Sequence, residues 1–297
     1  MKIGFGAPVA GAWATPANLA TFASKAESLG YSSLWTFHRL LVPAEPELDP
    51  VYRSVLDPLV AMSYMAARTS TIRLGVALVN FPFVSPTYLA KQASTLDVVS
   101  SGRLDLGLGA GWQQEEFIAT GAATEHRGAR MSEYVDVLRN LWTQEVSTYA
   151  GTFYQVPPSR MAPKPVQPGG PPILLGGVVP AALARAGRIA AGWMSRSATD
   201  LDAIADQIKV VRTAAAAAGK DPSAVRIVVR GVVRPGERGP RLSGSIPQIR
   251  ADAEWLGEQG VTELFYDLNW DPEIGHPDAP EEAATAKAAE LLEALRP

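Results

Sequence analysis

No cysteine occurs anywhere in this 297-residue chain. That excludes disulfides, thiolate nucleophiles and zinc–thiolate centres. Histidine is nearly as scarce: His38, His126 and His276 are the only three, and they stand far apart. A metal-dependent barrel hydrolase needs clustered His and Asp ligands, such as HxH, so that class is set aside and no metal site is expected. Also missing is any apolar run near the roughly 18 residues required to span a bilayer. The N-terminus, MKIGFGAPVAGAW, has one Lys and too short an apolar stretch for a signal peptide, and reads as a first strand. Positive charge is not in excess. The net charge is −3 and the pI about 5.7, which offers no footprint for nucleic acid. There is no GxGxxG followed some twenty residues later by an acid, so a dinucleotide Rossmann site is not indicated. The expected partner is a small molecule, and the default location is the cytoplasm.

What is present is alternation. Short apolar strands at Ile3 to Gly6, Ser33 to Phe37, Ile72 to Val79 and Arg103 to Gly109 are separated by helical periods. The pattern resumes at Ile173 to Leu175, Gly192 to Ser195, Val225 to Val233 and Thr262 to Leu268, with a closing helix over Glu281 to Leu295. About eight strand–helix units in a chain of this length predict a (β/α)8 TIM barrel, with a doubly wound open sheet as runner-up. The interruption lies at about 145–172. VSTYAGTFYQV alternates β-branched and aromatic residues about Ala150-Gly151 and predicts a hairpin. The following PPSRMAPKPVQPGGPP reads as an extended strap, since proline suits neither helix nor central strand. No linker divides the chain, so residues 1–297 read as one domain carrying this insertion.

The densest signal is SSGRLDLGLGAGWQQEEF, Ser100 to Phe117. A buried strand ends in alternate glycines, Gly107, Gly109 and Gly111, then Trp112. Bare backbone at a strand's C-terminal end lets a flat ligand approach, or else only relieves crowding in a barrel. Glu115 and Glu116 suit a helix first turn. Gly176-Gly177 before a helix can converge N–H groups on a phosphate.

Six segments in order resemble the luciferase-like flavin- and deazaflavin-dependent oxidoreductases: AESLGYSSLW, DPLVAMSYMAARTSTIRLGVALV, SPTYLAKQASTLDVVSSGRLDLGLGAGWQQEEF, HRGARMSEYVDVLRNLW, the hairpin with MAPKPVQPGGPPILLGG, and AGW with VTELFYDL. The GW-x-x-EEF, RG-x-R and VTELFYDLNWDPE features look most like the actinobacterial F420-dependent branch. The resemblance implies a TIM barrel binding coenzyme F420, or alternatively FMN, at the strand ends. It implies a hydride transfer to or from a small organic substrate, or a reduced-flavin monooxygenase in the FMN case. A non-catalytic paralogue is a further alternative. A homodimer through barrel helices is common in the family.

Carried over by position, the resemblance places the cofactor against Phe5, Gly6, Thr36, Ala77, Leu78, Asn80, Ala110, Gly111 and Trp112. Its phosphate falls at Gly176, Gly177 and Val178, with Arg196 supplying charge. A non-prolyl cis peptide is implied at Ala77-Leu78. His38 is the implied catalytic residue, taking an alcohol proton or stabilising the reduced ring. Two departures stand out. Relatives commonly carry an acid before this histidine, where this chain has Phe37. Some sugar-phosphate-oxidising relatives have a glutamate where this chain has Trp112, which weakens a sugar-phosphate reading. Arg185, Arg188 and Arg196 are candidates for a cationic exit that F420's acidic tail requires.

Overall fold

A computed structural model describes residues 1–297. Eight strands close into a parallel barrel in chain order: β1 (Lys2–Gly6), β2 (Ser33–Thr36), β3 (Arg73–Asn80), β4 (Leu104–Gly109), β5 (Ile173–Gly176), β6 (Gly192–Met194), β7 (Arg226–Val232) and β8 (Glu263–Asp267). β8 pairs back onto β1, with Ile3 opposite Leu264 and Phe5 opposite Tyr266. Closure overturns the open-sheet alternative.

Burial on both faces explains the strands' apolar sequences. Their outward residues, such as Leu34, Leu74, Leu106 and Val229, join the main core under the helices. Their inward residues, Trp35, Ala77, Leu174, Met194, Val228 and Phe265, form a separate cluster inside the ring. Trp35 and Phe265 stack there at 5.3 Å.

The helices are α1 (Pro16–Ser28), α2 (Pro58–Ala66), α3 (Pro86–Val99), α4 (Gln114–Thr120), α5 (Arg127–Thr143), α6 (Pro180–Ile189), α7 (Ile204–Ala217), α8 (Ile246–Glu258) and α9 (Glu281–Ala294). Thr15, Asp57 and Ser85 cap α1, α2 and α3, and proline opens each of the three. That pairing satisfies free N–H groups and pre-sets the first helical φ.

A polar plug closes the barrel's N-terminal end. Asp105 is fully buried between Arg73 (2.8 Å) and Arg226 (2.6 Å). Arg226 also reaches Glu263 at 2.8 Å, which in turn accepts from the Ser33 hydroxyl and from the Trp35 indole. Burial works against the Asp105 carboxylate, but the two guanidiniums outweigh it and hold its pKa low.

The interruption is a two-stranded ribbon, Ser147–Ala150 with Gln155–Ser159. Its second strand runs on through Pro157 and Pro158, where the sequence suggests the strap has begun. A ribbon edge needs no ladder N–H there, so proline is tolerated. The strap descends between α3 and α5: Ser94 donates to the Pro163 carbonyl (2.6 Å) and Lys164 to that of Leu141 (2.7 Å). Gln167 then ties it to Asp97 and to the Leu104 carbonyl. It therefore ends at the plugged end of the barrel, opposite the strand C-termini.

Candidate active site

The C-terminal mouth is asymmetric. On the β3–β6 side, Leu78, Asn80, Ala110, Gly111, Gly176 and Gly177 are partly accessible, and Trp112, Val178 and Arg196 are exposed. On the opposite side, Phe5, Gly6, Thr36 and Phe37 are buried, as are Asp267 and Asn269. A flat ligand has open backbone on one side only.

The β3 strand end is irregular. Its register with β4 shifts between Val76 and Val79, and the Ala77-Leu78 peptide is cis, where the resemblance implies it. The bulge turns the Leu78 side chain inward. A Cβ on Gly107 would meet Leu78 at 2.8 Å, one on Gly109 at 3.0 Å, and one on Gly176 would also strike it. The alternate glycines therefore seat Leu78, and the bland crowding reading holds for Gly107 and Gly109. What stays bare is the surface above Leu78.

Gly177 adopts φ +147° and a Cβ there would collide with Ala182 in α6. Its carbonyl accepts from the Trp193 indole at 2.8 Å. A large side chain at Gly177 would thus disturb the start of α6 as well as any ligand. α6 itself begins without a side-chain cap beside exposed Val178; Pro180 has no N–H and that of Ala182 is taken by the Val179 carbonyl at 2.9 Å, so Ala181 carries the first-turn N–H left for an anion.

His38 is buried at the end of β2, and its Nδ1 accepts from the Asn80 N–H at 3.2 Å. That bond assigns the neutral ring's proton to Nε2. Burial lowers the His38 pKa, against the opposing fields of Asp57 and Glu116. Its ring lines a cleft of about 380 Å³ with Asp57, Leu59, Val79, Phe83 and Tyr88, between the N-termini of α2 and α3. A neutral imidazole whose Nδ1 is engaged is a hydrogen-bond donor, not a base. The proton-accepting role expected of His38 is therefore not what this geometry offers.

Three residues here escape sequence reasoning. Arg230 donates from Nε to Asp267 at 2.7 Å and from Nη1 to the Ala77 carbonyl at 3.3 Å. Phe37 and Trp270 cover its guanidinium at 4.6 and 4.0 Å. Arg39 donates to buried Glu116 at 2.8 Å and lies over both Tyr52 and Trp112. Glu116 thus closes the β2–α2 loop onto α4, beyond the helix-dipole role its position suggests. Arg127 donates to the Gly111 carbonyl at 3.0 Å. The RG-x-R run is the sequence trace of Arg127, while nothing around Arg39 or Arg230 announces the other two.

The proposed cationic exit is only partly assembled. Arg185 lies against Gly128 at the start of α5. Arg188 sits instead in a cleft with Arg139 and Lys220 near the start of β5, at the plugged end. α6 runs away from the mouth, so its last turn cannot serve it.

The sequence profile of the luciferase-like monooxygenases matches residues 3–239. The chain belongs to that family. It is accordingly an enzyme of the F420- or flavin-dependent oxidoreductase and monooxygenase type. An uncharacterised protein of Mycobacterium tuberculosis is 31% identical over 262 residues, covering 84% of this chain and 86% of that one. The oxygenase component of flavin-dependent trigonelline monooxygenase from Acinetobacter baylyi is 34% identical over 39% of this chain and 33% of its own. Among solved structures, monooxygenase RslO1 from Streptomyces bottropensis superposes with TM-score 0.82 at 23% identity, covering 99% of this chain and 98% of that one. An F420-dependent secondary alcohol dehydrogenase, in complex with an F420–acetone adduct, gives 0.78 at 17%, covering 100% and 99%. At such identities the two structures speak for the fold alone.

Proposed function

We propose that this luciferase-like enzyme moves a hydride between coenzyme F420 and a small, largely apolar organic substrate. The observation that carries the choice of cofactor is a set of arginines free of any ion pair. Arg127 on the Gly111 carbonyl, Arg185 against Gly128, and exposed Arg196 two residues beyond β6 make no salt bridge. FMN ends at one phosphate, which the Gly176-Gly177 turn together with the start of α6 could hold. F420 continues into an acidic tail, for which several free cations are suited.

The open strand ends fit a flat ring: Leu78 forms a floor, and Asn80, Ala110, Gly111 and Val178 line its border. When bound, the reduced cofactor supplies a hydride. The chain's own part is positioning. His38 offers Nε2–H to a substrate oxygen in the cleft and polarises a carbonyl there. Because Nδ1 is held by Asn80, the proton that completes an alcohol comes from water. No membrane-crossing helix is present, and the reading needs neither membrane nor nucleic-acid partner. We place the enzyme in the cytoplasm, where such a cofactor is maintained.

The second reading, an FMN-dependent monooxygenase, draws on the trigonelline relative. Anaerobic mixing with reduced F420 and a panel of small ketones and aldehydes separates the two. Reoxidation of F420 without O2 is expected. Turnover that requires reduced FMN and consumes O2, with F420 inert, would replace the first reading by the second.

A further inference from the structure

We propose that Arg230 holds the cofactor ring by its pyrimidine edge and supplies the positive charge that stabilises the reduced, anionic ring. This rests on the reading that a flavin or deazaflavin occupies the mouth, and it holds for either. Arg230 lies in the C-terminal half of β7 and is 8% exposed. Its fork is fixed from several directions. Nε is bound to Asp267, Nη1 to the Ala77 carbonyl at the β3 bulge, and both aromatic neighbours cover the plane. Nη2 makes no hydrogen bond within the chain. Asp267 is itself committed, since its Oδ1 accepts from the Asn269 backbone and side chain at 3.0 and 2.8 Å.

A buried ion pair contributes little net stability compared with apolar packing, so its presence at a strand end calls for another reason. The peptide that Arg230 reaches is the one expected to support the ring. Flavins and deazaflavins share a pyrimidine edge with two carbonyls, and gaining a hydride leaves a negative charge on that edge. A fixed guanidinium in a water-poor site stabilises that charge without reorganising. The Phe37 departure fits the same picture. An acid at position 37, as relatives have, would place a carboxylate where an aromatic ring now covers Arg230, and would offset its charge.

The test uses Arg230→Lys and the double variant Arg230→Met/Asp267→Asn, which leaves no orphan charge. Anaerobic titration gives the affinity for oxidised and for reduced cofactor, and a thermal melt reports folding. The double variant should bind oxidised cofactor nearly as the parent does, yet lose about tenfold or more in affinity for the reduced form. Arg230→Lys should recover part of that loss. A folded double variant with an unchanged reduced-to-oxidised ratio would reduce Arg230 to a brace of the barrel. If the double variant does not fold, the parent decides the matter. Its bound reduced ring should stay anionic to lower pH than the free ring, and equal titration of the two would overturn the proposal. A parent that binds neither F420 nor FMN overturns this proposal together with the reading beneath it. A parent that binds one of them with the ratio unchanged overturns this proposal alone.

Discussion

His38 shows how a single hydrogen bond decides a residue's chemistry. The Asn80 N–H takes Nδ1, so the neutral ring carries its proton on Nε2 and serves as a donor. Burial lowers its pKa, so the neutral form persists from high pH down through 6.5 and is lost only on further acidification. Reduction of an identified substrate should therefore be flat with pH through neutrality and fall only in acid well under the ordinary histidine range, where protonation of Nδ1 breaks its bond with the Asn80 N–H and shifts the ring. His38→Ala should lower kcat by roughly 10²-fold and remove that acid limb. A pH profile of kcat/KM checks both, and near-normal turnover in the variant would make His38 structural. The position of His38 at a strand end was legible in the sequence. Its tautomer was not, because it depends on a backbone N–H 42 residues away. Arg230 was hidden more completely. In RIVVRGV it reads as one more strand residue, and its partner Asp267 lies 37 positions on.

At the scale of elements, the strands were legible to within a residue or two, because β/α alternation with proline starts and glycine stops marks both ends. The strap was legible as extended chain, but its course was not. Whether it crosses the mouth or the plugged end depends on contacts with α3 and α5 that no local pattern encodes. The same holds for Glu27 on α1. Its carboxylate accepts from the backbone of Ser70, Thr71 and Ile72 and from the Thr71 hydroxyl, pinning the turn that leads into β3. Partial burial opposes ionisation, but these donors outweigh it and bring its pKa to about 2. The depressed value fixes the sign. The stabilisation is fully present above about pH 4.5, the ordinary value, and is lost as pH falls toward 2. Glu27→Ala should cost about 1–2 kcal/mol at pH 7, after allowing for solvent screening. Urea unfolding at pH 7 and at pH 3 should show the gap narrowing. A gap that widens in acid would contradict the assignment.

On the scale of the whole molecule, the barrel is sealed at one end and half-open at the other. Ion pairs around Asp105 fill the N-terminal end, and the strap covers it. At the mouth, the β1, β2, β7 and β8 side is packed solid by Arg230, Phe37 and Trp270, while the β3 to β6 side exposes backbone and arginines. A planar cofactor entering from that side, tail outward past the arginines, is the central claim. Equilibrium titration of the desalted protein with F420 and with FMN over rising salt tests it most directly. Electrostatic attraction to exposed arginines is screened by salt. The account predicts that F420 binds more tightly than FMN, that its affinity falls as salt rises, and that it falls again in Arg196→Ala. Tight, salt-insensitive FMN binding with no measurable affinity for F420 would contradict it.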